Sequence, residues 1–158
     1  MGIVSAIYTR SDEDPNAPPA IHAGESQGTT CFYRQGAHEM KFMLVDDSST
    51  MRKIQRRTLE KLGFSDIIEA DDGAKGLEIF GTTGPDIVIT DWNMPNMTGL
   101  EMVTAIRSSN KTTPIIMVTT EAEKTKVVEA IKAGISDYLI KPFTPEALSA
   151  KIRKVTGT

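Results

Sequence analysis

Five residues of this chain carry groups suited to phosphate chemistry, and each stands at the end of an apolar run. Asp46 and Asp47 follow residues 41–45, Asp91 follows 87–90, Thr119 closes 115–119, and Lys141 follows 138–140. Taken singly, an Asp after a strand is an N-cap or a turn residue. Taken together, four strand ends of this kind point into one crevice, because the carboxyl ends of the strands form the ligand site of an open parallel sheet. Three carboxylates gathered there repel and raise one another's pKa values unless a cation lies among them. Oxygen ligands without His or Cys select a hard ion, and Mg²⁺ takes one or two carboxylates, keeps several waters and leaves a position for a phosphate oxygen. Lys141 adds a fixed positive charge, and the Thr119 hydroxyl adds a donor. Phosphoryl transfer to the Asp91 carboxylate needs this set, since its catalysis is mostly positioning and charge neutralisation. The expected product is an aspartyl phosphate.

The elements that must position these groups alternate along the chain. Residues 41–45 read as a buried strand, and Ser48, Ser49 and Thr50 offer N-caps for a helix over 51–62. In that helix Met51, Ile54, Thr58, Leu59 and Leu62 recur at three- and four-residue steps, Arg and Lys lie between them, and Gly63 is the expected C-cap. Residues 67–70 form a second strand, and the turn Asp71-Asp72-Gly73 leads into a helix over 74–80 with Leu77 and Phe80 inward. The strand 87–90 delivers Asp91; Leu100, Val103 and Ile106 mark a third helix, and Pro114 precedes the strand 115–119. A fourth helix over 122–133 carries Val127, Val128 and Ile131 and stops at Gly134, and 138–140 is the last strand. Thr144 caps a final helix with Pro145 at its first position and Leu148 and Ile152 on its inner face. Five strands alternating with five helices call for a parallel sheet covered on both faces by right-handed crossovers. The expected fold is α/β, a flavodoxin-like (βα)5 doubly wound five-stranded parallel sheet with strand order 2-1-3-4-5.

The acid pair Asp46-Asp47, the strand-ending Asp91, Thr119 and the Lys141-Pro142 pair resemble, in order and spacing, the receiver domain of two-component response regulators. The likeness spans residues 40–158. Among receivers it is most similar to the stand-alone chemotaxis regulators of the CheY type, through residues 45–52, 91–97, Thr119 with Glu121, and Tyr138 ahead of 139–143. The resemblance implies that Asp91 is the phosphoacceptor, that Asp47 and Asp91 bind Mg²⁺ directly, and that Asp46 acts through a coordinated water. It further implies that the backbone carbonyl of Asn93 completes the protein ligands, that Lys141 contacts the phosphoryl group, and that the Lys141-Pro142 peptide is cis. Thr119 would move inward to the phosphate and Tyr138 would follow it from an exposed to a buried rotamer, so that a local charge event reshapes a distant face. Asn93 and Glu121 flanking the site imply a short-lived phosphate. The implied partners are a histidine kinase of the CheA type, a flagellar switch protein of the FliM type and a phosphatase, with Lys124, Val127, Ile131, Tyr138 and Lys151 as contact positions. Departures from the pattern are Thr98 in place of an acid, Ser48 in place of a bulkier residue, Thr120 and Asp137 in place of small residues, and a shorter loop over 108–113.

Composition narrows the function classes. Residues 1–39 hold five acids (Asp12, Glu13, Asp14, Glu25, Glu39) against Arg10 and Arg34, so the net charge of −3 belongs to this leading segment and residues 40–158 are balanced. No basic excess points to nucleic acid. The segment is rich in Pro, Gly, Ser, Thr and Ala without a period of 2 or 3.6, and is expected to be a disordered N-terminal extension, with His22 and His38 outside any ligand pattern. Cys31 stands alone, which excludes an internal disulfide framework. No apolar run approaches the ~20 residues that span a bilayer, and the start of the chain has neither a signal-peptide nor a myristoylation pattern, so no membrane role and a cytoplasmic location are expected. Met94, Met97, Met102 and Met117 read as core filler, Trp92 as a partly exposed packing residue, and Arg52-Lys53 and Arg56-Arg57 as a solvated helix face.

Only 17 residues follow Lys141, enough for one helix, so output is expected by protein contact rather than through an attached DNA-binding or enzymatic domain. The chain is then not an enzyme beyond catalysing its own phosphorylation and dephosphorylation. Two other readings share the Asp91 chemistry. A phosphorelay intermediate would pass the phosphate to a histidine phosphotransfer domain. A phosphohydrolase of the haloacid dehalogenase type would carry a second Asp two residues after the first as general acid, where this chain has Asn93.

Overall fold

The structure is a computed structural model that describes residues 39–120 and 124–157, all within the compact unit Gly36–Thr158. The leading segment with Cys31, His22 and His38, and the residues Glu121 and Ala122, lie outside the described residues. The strands are β1 (Phe42–Val45), β2 (Ile67–Ala70), β3 (Ile87–Asp91), β4 (Ile115–Thr119) and β5 (Asp137–Ile140). The helices are α1 (Ser49–Lys61), α2 (Gly73–Thr83), α3 (Gly99–Ser109), α4 (Lys124–Ala133) and α5 (Pro145–Thr156). All strand pairs are parallel, and the order is β2-β1-β3-β4-β5, the doubly wound arrangement expected from strict alternation.

Alternate side chains of each strand serve opposite layers, as the two-residue period of a strand demands. Met43, Val45, Val88, Ile115 and Met117 pack with Phe80 of α2, Met102, Val103 and Ile106 of α3 and Ala130 of α4. Phe42, Leu44, Ile87, Ile89, Ile116 and Val118 pack with Leu59 of α1 and Leu148 and Ile152 of α5. β1, β3 and β4 are buried along their whole length, which explains why they read as unbroken apolar runs rather than alternating ones.

Several local expectations change. The C-cap of α1 is Leu62, and Gly63 sits one residue beyond it at φ 91°, because the left-handed position follows the cap rather than forming it. The inner face of α1 is Gln55, Thr58 and Leu59, whereas Ile54 is exposed. Trp92 is buried, not partly exposed. Arg52 and Arg56 do not simply face solvent: both guanidinium groups pair with Glu69 of β2, with Nε–Oε distances of 3.0 and 2.6 Å, while Lys53 and Arg57 are exposed. On α4 only Ala130 is buried, and Val128 and Ile131 stand in solvent.

Candidate functional site

The crevice lies at the carboxyl ends of β1, β3, β4 and β5, and each group reaches it through a defined local interaction. Asp46 is fully buried beyond β1; its backbone N–H donates to the Ala70 carbonyl, and its Oδ1 accepts the Ser48 N–H at 2.8 Å. Ser48 then caps α1 by accepting the Met51 N–H. Asp47, the next residue, is exposed. Asp91 ends β3, 7% exposed, and its Oδ1 accepts the Trp92 N–H at 2.7 Å. Thr119 closes β4, buried, and its carbonyl accepts the Lys141 N–H at 2.7 Å, which fixes the root of Lys141 against the neighbouring strand.

Lys141 Nζ stands 3.2 Å from Asp46 Oδ2 and 3.1 Å from Asp91 Oδ2, a single cation shared by two carboxylates. Asp46, Asp47 and Asp91 each present an oxygen within 4.8 Å of the others. The site thus concentrates three acids around one base. Burial pushes the Asp91 carboxyl above its ordinary range, against the opposing pull of the Lys141 ammonium, with the Asp46 charge adding to the rise. That net unfavourable charge is what a hard divalent cation would relieve, and an all-oxygen donor set with one exposed carboxylate suits Mg²⁺ with retained waters. Asn93 is exposed in the loop after β3, two residues from Asp91. The peptide between Lys141 and Pro142 is cis.

The loop that carries Asp91 into α3 is held by close packing. The Gly99 N–H donates to the Trp92 carbonyl, and a Cβ at Gly99 would lie 1.9 Å from the Asp91 carbonyl oxygen, so this position admits hydrogen alone. Gly73, which opens α2, meets the same loop: a Cβ there would lie 2.4 Å from the Met97 carbonyl oxygen. Thr98 and Glu101 form a reciprocal capping box at the start of α3. Beside Lys141 opens an apolar groove of about 300 Å³ lined by Met51, Ile54, Thr120, Pro142 and Phe143.

An acidic crevice with one shared lysine thus stands at the strand ends, and the sequence profile that matches the chain is that of the response regulator receiver domain, over residues 42–153. This chain belongs to the response regulator receiver family. The chemotaxis protein CheY1 of Helicobacter pylori is 48% identical to this receiver over 122 residues, spanning 75% of this chain and 98% of that protein. The chemotaxis protein CheY of Pseudomonas aeruginosa is 44% identical over 118 residues, 73% of this chain and 95% of its own. Among solved structures, the chemotaxis response regulator CheY4 of Vibrio cholerae superimposes with a TM-score of 0.70 at 38% identity, covering 75% of this chain and 99% of that one. Receivers of this type are signalling proteins rather than conventional enzymes. Among the described residues no helix is long and apolar enough to cross a membrane.

The structure brings Asp46, Asp47, Asp91 and Lys141 into one cluster and sets Thr119 at its edge through the backbone of Lys141. Tyr138 is half-buried on β5 and packs against the layer formed by α2, α3 and α4. Two features escaped the sequence reading. Lys126 of α4 places its ammonium over the Trp92 ring, 5.4 Å from the centroid. Asp137, buried at the start of β5, binds Lys151 Nζ at 2.7 Å and Lys154 Nζ at 2.8 Å, and Lys151 also lies 5.4 Å over the Tyr138 ring. The signal for Asp137 was an acid beginning a strand opposite a helix with lysines three apart; for Lys126 there was none, since helix and loop meet only in the fold.

Proposed function

We propose that this receiver accepts a phosphoryl group on Asp91 from the phosphohistidine of a CheA-type kinase, with Mg²⁺ bound, and signals by protein contact in chemotaxis. The observation that carries this reading is the position of Lys141 between Asp46 and Asp91, with the third carboxylate of Asp47 in reach of both. An Asp91 carboxylate oxygen bonds phosphorus as the phosphorus–nitrogen bond to the donor imidazole breaks, and the imidazole leaves with that electron pair. Lys141 neutralises developing charge on the phosphoryl oxygens, and the Trp92 N–H holds the carboxylate in place. Asp46, Asp47, Asp91 and the Asn93 carbonyl would hold Mg²⁺, which supplies further charge neutralisation and orients the phosphoryl oxygens. Water later cleaves the acyl phosphate and restores Asp91.

Thr119 and Tyr138 transmit the change in this reading, and the face that presents it comprises α4, β5 and α5. Val128, Ile131 and Ile140 are large apolar side chains exposed on that face, with Lys124, Val127, Tyr138 and Lys151 around them. Such a cluster suits a partner helix with an apolar stripe, as a flagellar switch protein of the FliM type would provide. The relatives named above are chemotaxis proteins, which supports that assignment. Residues 1–39 are assigned no part in the chemistry.

The test is incubation with acetyl phosphate and Mg²⁺. Intact-mass analysis is expected to show one added phosphoryl group, lost in Asp91→Asn. An unchanged mass in the unaltered protein would refute the phosphoacceptor reading. Capture of the phosphorylated form by a histidine phosphotransfer domain, and not by a switch-protein peptide, would move the protein from chemotaxis to a phosphorelay.

A further inference from the structure

We propose that Lys126 is a second cation of the site, which answers charge added at Asp91 and couples it to α4. The inference rests on the reading of Asp91 as phosphoacceptor and adds a residue to which that reading gives no role.

Trp92 connects the two. Its backbone is fixed at both ends, the N–H on Asp91 Oδ1 at 2.7 Å and the carbonyl on the Gly99 N–H at 2.9 Å, and its side chain is buried. Lys126 lies in the first turn of α4, the helix that leaves the carboxyl end of β4, and its ammonium sits over this ring within cation–π range. Among the described residues it pairs with no carboxylate. Other cations near the crevice are already committed: Lys141 to Asp46 and Asp91, and Arg52 to Glu69 and to the Asp46 carbonyl.

Charge then decides what Lys126 does. Three carboxylates and Lys141 leave a double negative charge, which one divalent cation balances. Converting the Asp91 carboxylate to an acyl phosphate adds one further negative charge at neutral pH. A lysine held only by a ring face is held weakly, and a charge-assisted hydrogen bond to a phosphoryl oxygen is the stronger partner. Lys126 therefore shifts from the ring toward the phosphoryl group, carries the first turn of α4 with it, and lengthens the life of the acyl phosphate. The same shift changes the surroundings of Trp92, which is the sole tryptophan of the chain.

The experiment uses Lys126→Met and Lys126→Arg in the full chain, with acetyl phosphate and Mg²⁺. After acetyl phosphate is removed, the half-life of the phosphorylated protein, followed by intact mass, is expected to shorten about two- to five-fold in Lys126→Met, the size of a solvent-screened charge pair, and to recover in Lys126→Arg. Without metal or phosphodonor, Trp92 emission is expected to differ between Lys126→Met and the unaltered protein and to be retained in Lys126→Arg. An unchanged half-life in a Lys126→Met protein that does gain the phosphoryl mass overturns this inference alone. No mass gain in the unaltered protein overturns the phosphoacceptor reading and this inference with it.

Discussion

Gly99 lies so close to Asp91 that a methyl group on its α-carbon would stand 1.9 Å from the Asp91 carbonyl oxygen. The start of α3 is thereby seated directly on the residue that ends β3, and neither can move without the other. Gly99→Ala is expected to push them apart, lowering stability by about 3 kcal/mol in urea titration. The same displacement would slow phosphorylation by acetyl phosphate about ten- to a hundred-fold, since small misplacements of a reacting group are costly. A variant of unaltered stability and rate would show that the contact relaxes freely.

Lys141 is the shared counter-ion of two acids, one of them wholly buried. Removing it in Lys141→Met leaves Asp46 charged without its cation, and a loss of about 3 kcal/mol is expected in metal-free buffer. Mg²⁺ should restore part of that loss. Lys141→Arg keeps the charge, yet its planar fork cannot reproduce a point contact between two carboxylates, so phosphorylation should persist while partner binding is lost. Calorimetry with and without Mg²⁺, beside partner pulldown, checks both outcomes.

Gln55 stands fully buried on α1, and neither polar atom of its amide has a hydrogen-bond partner among the described residues. A buried unpaired amide costs about 1–3 kcal/mol. Gln55→Leu is therefore expected to raise the thermal midpoint, with a gain of about 1–2 kcal/mol, and to leave phosphorylation unchanged. A fall in the midpoint would show that the amide is satisfied in solution.

Burial favours the neutral form of Asp137, but its bonds to Lys151 and Lys154 outweigh burial and hold its carboxyl below the ordinary range. The folded value is thus lower than the unfolded value of about 3.9. The stabilisation from Asp137 is present above that unfolded value and is lost as pH falls through the folded one. Asp137→Asn should lower stability at neutral pH by about 1–2 kcal/mol and flatten the acid side of the curve. Lys154 is mostly in water, so most of the effect belongs to Lys151. Denaturation midpoints measured across the acid range for both proteins decide this, and parallel curves would rule it out.

The sheet order and the four converging strand ends were legible because the strands are buried on both faces and end abruptly in polar residues. Asp91 needed only the run before it, and Thr144-Pro145 announced the start of α5 through capping chemistry alone. What sequence could not show depends on neighbours distant along the chain. Ile54 has the spacing of an inward residue, yet Gln55 takes that direction, because one residue of rotation suffices to exchange them. Three of the departures from the family pattern have local duties: Ser48 caps α1 and binds Asp46, Thr98 begins a capping box, and Asp137 pins α5. The cap at Ser48 was legible from its residue type, whereas its bond to Asp46 and the grip of Asp137 on α5 join side chains whose meeting only the fold decides.

The pairing of Arg52 and Arg56 with Glu69 has a consequence for how the protein behaves when concentrated. Among the described residues β2 is the last strand on its side of the sheet, and the Asp66 and Ala70 carbonyls turn inward to β1, so those of Ile67 and Glu69 face outward. Arg56 Nη2 donates to the Ile67 carbonyl at 3.2 Å, and the two guanidinium groups gather around the Glu69 carboxylate. An open edge of this kind is a template for adding strands from another molecule, and covering it with charge blocks that route to aggregation. α1 therefore acts as a gatekeeper, keeping this receiver from polymerising through its own sheet.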